Sequence, residues 1–404
     1  MASLLFIGCD VHSKTISLDT FDRDSNTHSH QTKINNDPRL IWKYAKKIES
    51  EVEPGTQLVF GYEAGCLGFS FHERITKMGF ECRIMAPTTI RLAQTDRVRK
   101  TDRRDAKSLA EALAYDTYRS VYVPTQEDQE VRSFIRLRED TQETIKKFKQ
   151  RINAFMLKLG YTFDEGKTKW TIKHRDWLKS LELSPMNREV LDEYLITLEE
   201  LETKIGRYDE RITEMSKQEN YNELASSLSC FKGVTRPIAM RIITEIGDFN
   251  RFATAGEFAS YLGLTPSEYS SGESQVKGSL TKMGNGHVRK TLIEAAQSAT
   301  KGVPGRKSKR LIARQSGNDP KVIHYADKGN TRFISKFKSM MNNGKNRNIA
   351  IAACAREMAC FIWGMATNHI ENRSHCDPLT GEILSQNITI ENKCSNQING
   401  TTKF

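Results

Sequence analysis

The sequence predicts an α/β domain followed by a mostly helical remainder, and three observations support this prediction. Three strand-like segments open the chain. Helix-like and strand-like segments then alternate up to about residue 125. Beyond that point, two long stretches carry apolar residues spaced by three and four, which is typical of long paired helices. A chain of 404 residues is long enough for two or three domains with their own cores.

In the first domain, the apolar pattern and the turn residues give the order of the elements. Residues 4–35 predict three strands, LLFIGCDV, TISLDTF and a polar segment around HSHQTKI. The elements expected after them are a helix from Pro38 to about Glu51, a strand at 57–64, a helix at 66–79, a strand at 80–87, and helices at 88–95 and 103–116. The order βββαβαβ is that of a ribonuclease-H-like domain, although other three-layer α/β domains begin in the same way.

The helical middle of the chain comes next. Apolar residues recur with helical spacing from Glu127 to Leu159 and again from Asn187 to Met215. The two stretches together predict an antiparallel helical hairpin or coiled coil. The aromatic and basic link between them, residues 160–181, fits neither a heptad pattern nor a plain loop. Both an excursion that caps the helices and a contact for a partner remain open for this link.

The segment after the helical middle has the pattern of a helix-hairpin-helix. LSCFKGVTRPIAMRIITEIG predicts a short helix, a turn at Gly233 and Val234, and a second helix from about Pro237 to Gly247. Such hairpins point backbone N–H groups at a phosphate. Because Thr235 replaces the usual second glycine of the turn, DNA-backbone binding and plain helix packing both remain open.

Two further segments complete the chain. Residues 350–366 predict an apolar core helix. The segment from 371 onward is rich in Asn, Ser and Thr and predicts a mobile tail.

The formal net charge of +11 comes from one window. Residues 301–347 hold 13 Lys and Arg against two Asp, whereas the rest of the chain is balanced at 48 basic and 48 acidic residues. We interpret this basic window as an insertion that contacts nucleic-acid phosphates, and a solvated, partly disordered insertion is the alternative. A second basic segment, RVRKTDRRDAK at 97–107, surrounds two aspartates, which suggests that acids hold metal where basic residues hold phosphate.

The composition excludes several classes of protein. No run approaches the roughly 20 apolar residues that a membrane span requires, so we expect no membrane association. The N-terminus lacks a basic leader and reaches Asp10 too early for a signal peptide, so secretion is not expected. The eight cysteines are scattered without zinc-like spacing, which predicts reduced thiols in a cytoplasmic protein.

Four acidic residues are candidates for metal binding. Asp10 lies in the first predicted strand, Glu63 ends the fourth, and Asp102 and Asp105 begin a helix with i, i+3 spacing that puts them on one face. Two-metal phosphoryl transfer needs several converging carboxylates, and such hard oxygen ligands suit Mg²⁺ or Mn²⁺. Each acid also has a simpler interpretation as a turn or helix-capping residue.

A second candidate site is the turn-rich segment GLTPSEYSSGE at 263–273. Ser270 and Ser271 precede Gly272, where a tight turn can expose a hydroxyl. No local His, Lys or Asp is spaced to activate such a serine, so a plain turn remains the simpler interpretation. The GNG turn at 284–286 opens a helix and is a plausible phosphate site.

At this point the chain resembles a known family. IGCDVHSKTI, FGYEAGCLG and RVRKTDRRDAKSLAEAL resemble the three acidic blocks of the DEDD transposases of bacterial insertion sequences (insertion sequence family one-ten), which include the Piv-type DNA invertases. FKGVTRPIAMRIITEIGDFNRFATAGEFASYLGLTPSEYSSGES and GSLTKMGNGHVRKTLIEAA resemble the second domain of that family. The resemblance covers roughly residues 4–125 and 224–300.

The resemblance implies a domain organisation. A RuvC-like catalytic domain with a ribonuclease H fold would cover 1–125 and a helical coiled-coil spacer 126–223. A mostly helical transposase domain, with the helix-hairpin-helix-like element and the basic insertion at 301–347, would cover 224–370. Residues 371–404 would be the mobile tail.

The resemblance also implies a mechanism and partners. Asp10, Glu63, Asp102 and Asp105 would bind Mg²⁺ or Mn²⁺, and Ser271 would attack DNA to form a covalent phosphoserine link, with metal supplied by another subunit of a dimer or tetramer. A structured noncoding RNA would pair with donor and target DNA, so protein contacts would go mainly to phosphates. The residues expected to make nucleic-acid contacts are Arg97, Arg99, Lys100, Arg103, Arg104, Lys107, Lys232, Arg236, Lys277, Lys282, Arg289, Lys290, Arg306, Lys307, Lys309 and Arg310.

Other functions remain open. A RuvC-type junction nuclease would need the four acids but not Ser271, and a DNA invertase would select its sites without RNA. An actin-like or sugar-kinase ATPase also opens with a strand-borne Asp, but here Val11, His12 and Ser13 follow it in place of the Gly and Thr of such phosphate loops. A nucleic-acid-binding protein without catalytic activity would result if the four acids did not converge.

Overall fold

The computed structural model of the chain describes residues 3–87, 102–166, 168–271 and 274–370, without the side chains of 102–104 and 269–277. It forms two compact units, the first ending at Pro124 and the second beginning at Thr125. The helix predicted at 88–95 and the predicted tail lie outside the described residues.

In residues 3–87 and 102–124, the first unit contains five strands and three helices. They are β1 (Leu4–Val11), β2 (Thr15–Asp22), β3 (Thr27–Asn35), α1 (Pro38–Glu51), β4 (Gln57–Glu63), α2 (Ser70–Lys77), β5 (Glu81–Met85) and α3 (Asp102–Ala114). α2 begins four residues later than the predicted 66, because residues 66–69 form a turn in which Gly68 has a φ of +58°, outside the helical region. The other predicted elements differ from the observed ones by one or two residues at their ends.

The five strands form one mixed sheet in the order β3-β2-β1-β4-β5. β1, β2 and β3 are antiparallel, whereas β4 and β5 run parallel to β1. α1 and α2 contribute Ile41, Ile48 and Phe71 to the core on one face, and α3 contributes Leu109 and Leu113 to the core on the other. This mixed α/β architecture, as predicted, is consistent with a ribonuclease-H-like domain.

The second unit contains ten helices and one β-hairpin within the described ranges. They are α4 (Gln126–Lys158), α5 (Ile172–Ser180), α6 (Pro185–Met215), α7 (Glu219–Ser229), α8 (Arg236–Ile246), α9 (Ala255–Tyr261), β6 (Pro266–Ser271), β7 (Ser274–Leu280), α10 (Gly286–Ala299), α11 (Lys309–Gln315), α12 (Pro320–Asn342) and α13 (Arg347–Ala366).

The two longest helices, α4 and α6, pair antiparallel as their spacing predicts. Arg138 near the start of α4 bonds Asp209 near the end of α6, while Lys149 further along α4 bonds Glu202. The apolar residues of the predicted spacing meet between the helices, and Ile152 and Leu198 are fully buried there. The link between them is not a plain loop, because it contains α5.

The rest of the second unit is a helical core built around α13. This helix is long and apolar enough to cross a bilayer. Ten of its residues are buried, and Trp363 is 1% exposed, so α13 is the core helix that the sequence predicts. The basic window contributes α11 and α12 to this core, where Phe333 and Ile334 are buried. Its described helices are therefore packed against the domain, unlike a solvated, partly disordered insertion.

The predicted helix-hairpin-helix corresponds to α7, a turn and α8. A Cβ on Gly233, at the turn, would lie 2.3 Å from the backbone oxygen of Ala295 in α10. The preceding backbone N–H, that of Lys232, donates to Asn330 Oδ1 at 2.7 Å. Because the turn and this N–H are engaged inside the domain, the structure favours plain helix packing for this part of the hairpin.

Gly8 lies where α3 crosses the sheet, and its replacement tests this packing. A Cβ there would lie 2.1 Å from the backbone oxygen of Ala106 and 2.3 Å from the nitrogen of Ala110. We expect Gly8→Ala to lower the free energy of unfolding by about 1–3 kcal/mol, as overpacking does, measured by urea denaturation. Gly65→Ala is the matched control, because its Cβ would meet nothing closer than 3.9 Å. Equal stability of the two variants would contradict the close approach of α3.

Candidate functional site

Two of the predicted metal ligands end adjacent parallel strands. β1 pairs with β4 in parallel, with Gly8 opposite Gly61. Asp10 and Glu63 each follow two residues later. Because side chains alternate along a strand, both acids face the same side of the sheet as the two glycines, which is the side that α3 covers. The two carboxylates therefore share one face at the carboxyl edge of the sheet.

The direction of α3 is fixed by contacts along its length. Ala106 in its first half lies over Gly8. Further along, Glu111 accepts a hydrogen bond at 3.0 Å from His28, which lies across the sheet from Phe6. α3 thus runs antiparallel to β1, and its first turn lies toward the carboxyl end of that strand.

The first turn of α3 carries the other two predicted ligands. Asp102 is the first residue of α3 and Asp105 immediately precedes Ala106. Both backbone positions are thus on the side of the sheet that Asp10 faces. The side chain of Asp102 lies outside the described residues, and among those described no group of three or more His, Cys, Asp and Glu side chains is close enough to hold a metal ion. An acid in a first turn also suits the helix dipole, so the capping interpretation of both residues stays open.

The donors available at this edge fit a hard divalent cation. Asp10 is 19% exposed, and its Oδ2 lies 3.1 Å from Nε2 of His12, an imidazole that helps to orient the carboxylate. Glu63 is exposed at the same edge. The neighbouring thiol of Cys9 is buried on the opposite face, and burial raises its pKa, so it stays protonated and is no ligand. Carboxylate oxygens of this kind suit Mg²⁺ or Mn²⁺.

The serine segment forms a β-hairpin in place of the predicted turn-rich segment. Ser271 ends β6 and pairs with Ser274, while Ser270 pairs with Gln275. The two serines therefore occupy different register positions of the hairpin. The sequence signal for this hairpin is two polar segments separated by Gly-Glu, a two-residue connection that favours a hairpin. The side chains of both serines and of Lys277 lie outside the described residues.

The base of this hairpin is held by the neighbouring helices. The N–H of Thr281 donates to the backbone oxygen of Thr265 at 3.0 Å and so closes the hairpin. The guanidinium of Arg289 donates to the backbone oxygens of Leu262 and Met283, on either side of the hairpin. The predicted phosphate contact Arg289 therefore has a structural role in holding the hairpin at the start of α10.

An ionic network joins α4 to α8 and α10, and no sequence motif predicts it. Glu139 of α4 contacts both Arg241 of α8 and the Nδ1 of His287 at the start of α10, the latter at 3.1 Å. Nearby, the buried Glu245 accepts hydrogen bonds from Arg136 and Asn285 at about 3 Å. These partners are more than 100 residues apart in several cases, so no local pattern could reveal them.

Several predicted nucleic-acid contacts are engaged inside the second unit. Lys232 donates to the backbone oxygen of Lys301, and Arg236 donates to Ser216 and Asn222 next to its own helix. Lys290 bonds Glu143 at 3.0 Å. Lys307 forms an ion pair with Asp327 and donates to Gln315. These side chains stabilise the fold, and their nucleic-acid contacts stay predictions.

Other predicted contacts lie on the surface or outside the described residues. Arg306, Lys309 and Arg310 are exposed at the start of α11, and Lys107 and Lys282 are exposed on α3 and after β7. Arg97, Arg99 and Lys100 lie outside the described residues, as do the side chains of Arg103 and Arg104. Arg306, Lys309 and Arg310 therefore form one exposed basic group within the described part of the basic window.

Comparison with known proteins agrees with this arrangement. The IS110-type DEDD model, described as “Transposase”, matches residues 7–160, which include the sheet with Asp10 and Glu63. The model described as “Transposase IS116/IS110/IS902 family” matches residues 225–310, which include the hairpin with Ser271. The two models match in the order that the sequence analysis predicted.

Individual relatives cover most of the chain. The putative transposase y4qE of Sinorhizobium fredii is 33% identical over 327 residues, covering 81% of this chain and 79% of that protein. The transposase for insertion sequence element IS1533 of Leptospira borgpetersenii is 27% identical over 349 residues, covering 85% and 99%. The transposase for insertion sequence element IS1111A of Coxiella burnetii is 25% identical over 237 residues, covering 58% and 64%. The chain therefore belongs to the IS110/IS116 family of insertion-sequence transposases and, as a transposase, is a DNA-cleaving and recombining enzyme.

Proposed function

We propose that this transposase cleaves and exchanges DNA strands with a RuvC-like carboxylate site and a serine nucleophile, guided by a structured noncoding RNA. The observation that carries the first part is the juxtaposition of Asp10 and Glu63 on one face at one edge of the sheet, on the side where α3 begins with Asp102 and Asp105. Carboxylates supplied by two strands and by the helix packed on them are suitable donors for the metal ions that assist phosphoryl transfer.

The four carboxylates would hold Mg²⁺ or Mn²⁺. Bound there, the ion would neutralise charge on a DNA phosphate and acidify an attacking hydroxyl. The protein's own part is positioning. β1 and β4 fix Asp10 and Glu63 by their parallel pairing, and His12 orients the Asp10 carboxylate. The close packing of α3 on Gly8 sets the height of its first turn above the sheet.

In the second unit, Ser271 would be the nucleophile. Its Oγ would attack a DNA phosphorus and form a phosphoserine link, while one neighbouring P–O bond breaks and the released deoxyribose oxygen takes up a proton. Ser271 is the last residue of β6, next to the two residues that connect it to β7, and the end of a hairpin suits an attack on a bulky substrate. The second unit contributes the anchored hairpin, and a dimer or tetramer would bring a carboxylate site from another subunit to it.

The basic residues fit partners that are recognised through phosphates. Arg306, Lys309 and Arg310 are exposed, and no strand or helix of the described chain carries an obvious base-reading pattern. DNA and a structured RNA would both be held mainly by backbone contacts, and base pairing would select the sequence. We expect the protein to act in the bacterial cytoplasm, on the DNA of the nucleoid.

The carboxylate site is tested by Asp10→Asn and Glu63→Gln. We expect each to lower DNA cleavage in Mg²⁺ by about 100-fold or more, because a neutral amide binds a hard cation poorly and gives less electrostatic stabilisation of the transition state. DNA affinity, measured by fluorescence anisotropy, should change little. Asp24→Asn, in the exposed turn between β2 and β3, is the control. Cleavage that survives in both site variants would contradict the assignment.

The nucleophile is tested by Ser271→Ala against Ser270→Ala. We expect Ser271→Ala to abolish the covalent protein–DNA adduct on a denaturing gel, whereas Ser270→Ala, one position earlier in β6, retains it. A RuvC-type nuclease would keep cutting DNA in the Ser271→Ala variant, and that result would replace the serine mechanism.

RNA guidance and the basic window are tested together. We expect one discrete structured RNA to copurify with the protein and to be identified by sequencing. Replacing Arg306, Lys309 and Arg310 by Gln should weaken its binding and reduce the slope of log affinity against log salt by about 0.7–0.9 for each phosphate that is no longer neutralised. Lys307→Gln removes one positive charge, that of the ion pair with Asp327, so it should affect stability more than the slope.

Two results would count against this proposal. Purification without any discrete RNA would favour an invertase that selects its DNA sites through protein contacts. An unchanged salt slope in the triple variant would remove the exposed residues of α11 and its approach from the nucleic-acid interface.

A further inference from the structure

An aromatic cavity lies where the helical hairpin turns, between the end of α4 and the start of α5. Its volume is about 180 Å³. Its walls are mainly apolar and aromatic side chains, namely Met156, Leu157, Tyr161, Phe163, His174 and Trp177. A cavity of about 150 Å³ accommodates benzene, so this one has room for a single flat ring. This is the aromatic and basic link whose role the sequence left open.

The walls hold their rings in fixed positions. The ring of His174 lies edge-on to Phe163, with centroids 4.8 Å apart, and its centroid lies 5.5 Å from that of Trp177. Trp170 approaches the same imidazole at 5.1 Å. Met156 is 3% exposed beneath them. Such a cluster offers rigid faces on which a planar ligand can stack.

One polar atom in this wall lacks a partner. His174 is 1% exposed, and its Nδ1 has no hydrogen-bond partner among the described residues. Burying a ring nitrogen without a partner costs free energy, and such an atom commonly marks the place of a ligand. Burial and the charges of Lys169 and Arg175 hold the pKa of His174 below its usual value. The neutral imidazole has one donor and one acceptor nitrogen, as the edge of a heterocycle requires.

Basic residues outnumber acidic ones in the link around the cavity. Residues 161–181 include five Lys and Arg against three acids, Asp164, Glu165 and Asp176. Lys149 and Arg175 both pair with Glu202. Lys169 lines the cavity itself. Nζ of Lys149 lies 5.5 Å from the centre of the Trp170 ring. Stacking faces beside positive charge are the combination that single-stranded nucleic acid recognises, with bases on the rings and phosphates on the cations.

We propose that this cavity holds one unstacked nucleobase from a single-stranded or bulged stretch of nucleic acid. The base lies against Phe163 and Trp177, its edge bonds to His174 Nδ1, and the adjoining phosphate lies near Lys169. A pyrimidine fits the volume best. The inference rests on the proposed function only in taking nucleic acid as the ligand, and it is independent of the carboxylate site and of Ser271.

The test is photo-crosslinking of the full chain to oligonucleotides that carry 5-iodouracil in an unpaired position. DNA and RNA versions of one sequence distinguish the two sources of the base. We expect a crosslink within residues 161–177, located by mass spectrometry, for at least one of the two. Ala154→Phe should lower its yield by about fivefold or more, the scale of one base–aromatic stack, because position 154 lines the cavity.

The variants are chosen to keep the fold intact. Ala154 is exposed on α4, so a larger side chain there fills the cavity without disturbing a buried contact. Ser133→Phe, at another exposed position of the same helix, adds the same ring away from the cavity and should leave the crosslink unchanged. His174→Phe keeps an aromatic wall but removes Nδ1, and its yield should fall below that of the unmodified protein.

Total nucleic-acid binding, measured by fluorescence anisotropy on the same samples, separates the two proposals. Normal binding with crosslinks only outside 161–177, or equal yields in Ala154→Phe and Ser133→Phe, overturns the nucleobase cavity and leaves the proposed function standing. Absence of all nucleic-acid binding overturns both.

Discussion

The close approach of α3 to β1 at Gly8 is the constraint on which the candidate metal site depends. A backbone oxygen and a backbone nitrogen of α3 occupy the space that any side chain at position 8 would need. Because strands alternate and α3 runs antiparallel to β1, this single contact determines both the face of Asp10 and the position of the first turn of α3. Helix packing therefore positions the elements that carry the acidic edge of the sheet.

In the second unit, charged side chains join the helices to one another. In the first unit, close backbone packing sets the position of α3. Glu139 and Glu245, one on α4 and one on α8, are each shared by two partners, and together they join three helices. Glu245 is 4% exposed as a side chain, so the loss of one partner would leave a poorly solvated charge. The same helix start, at α10, carries the base of the serine hairpin. The helical hairpin formed by α4 and α6 and the serine hairpin are thus parts of one connected framework.

The sequence predicts well what local chemistry determines. Pro38 and the apolar run at 57–63 give the bounds of α1 and β4, and helical spacing gives the antiparallel pairing of α4 and α6. The family could be recognised from the sequence because its acidic and serine motifs are short and local. The comparisons confirm it. The serine hairpin was missed, since its strands are polar and short, and the contact of Glu139 with His287 spans 148 residues. Neither a motif nor a periodicity in the sequence predicts the aromatic cavity, because its walls come from two helices and the link between them.

The continuous helix α4 also fixes the distance between two parts of the second unit. Twenty residues separate Arg136, which contacts Glu245 in the helical core, from Met156 in the wall of the aromatic cavity. At 1.5 Å per residue that is about 30 Å, or roughly nine base pairs of B-form duplex at 3.4 Å each. One uninterrupted helix therefore fixes the distance between the helical core and the aromatic cavity.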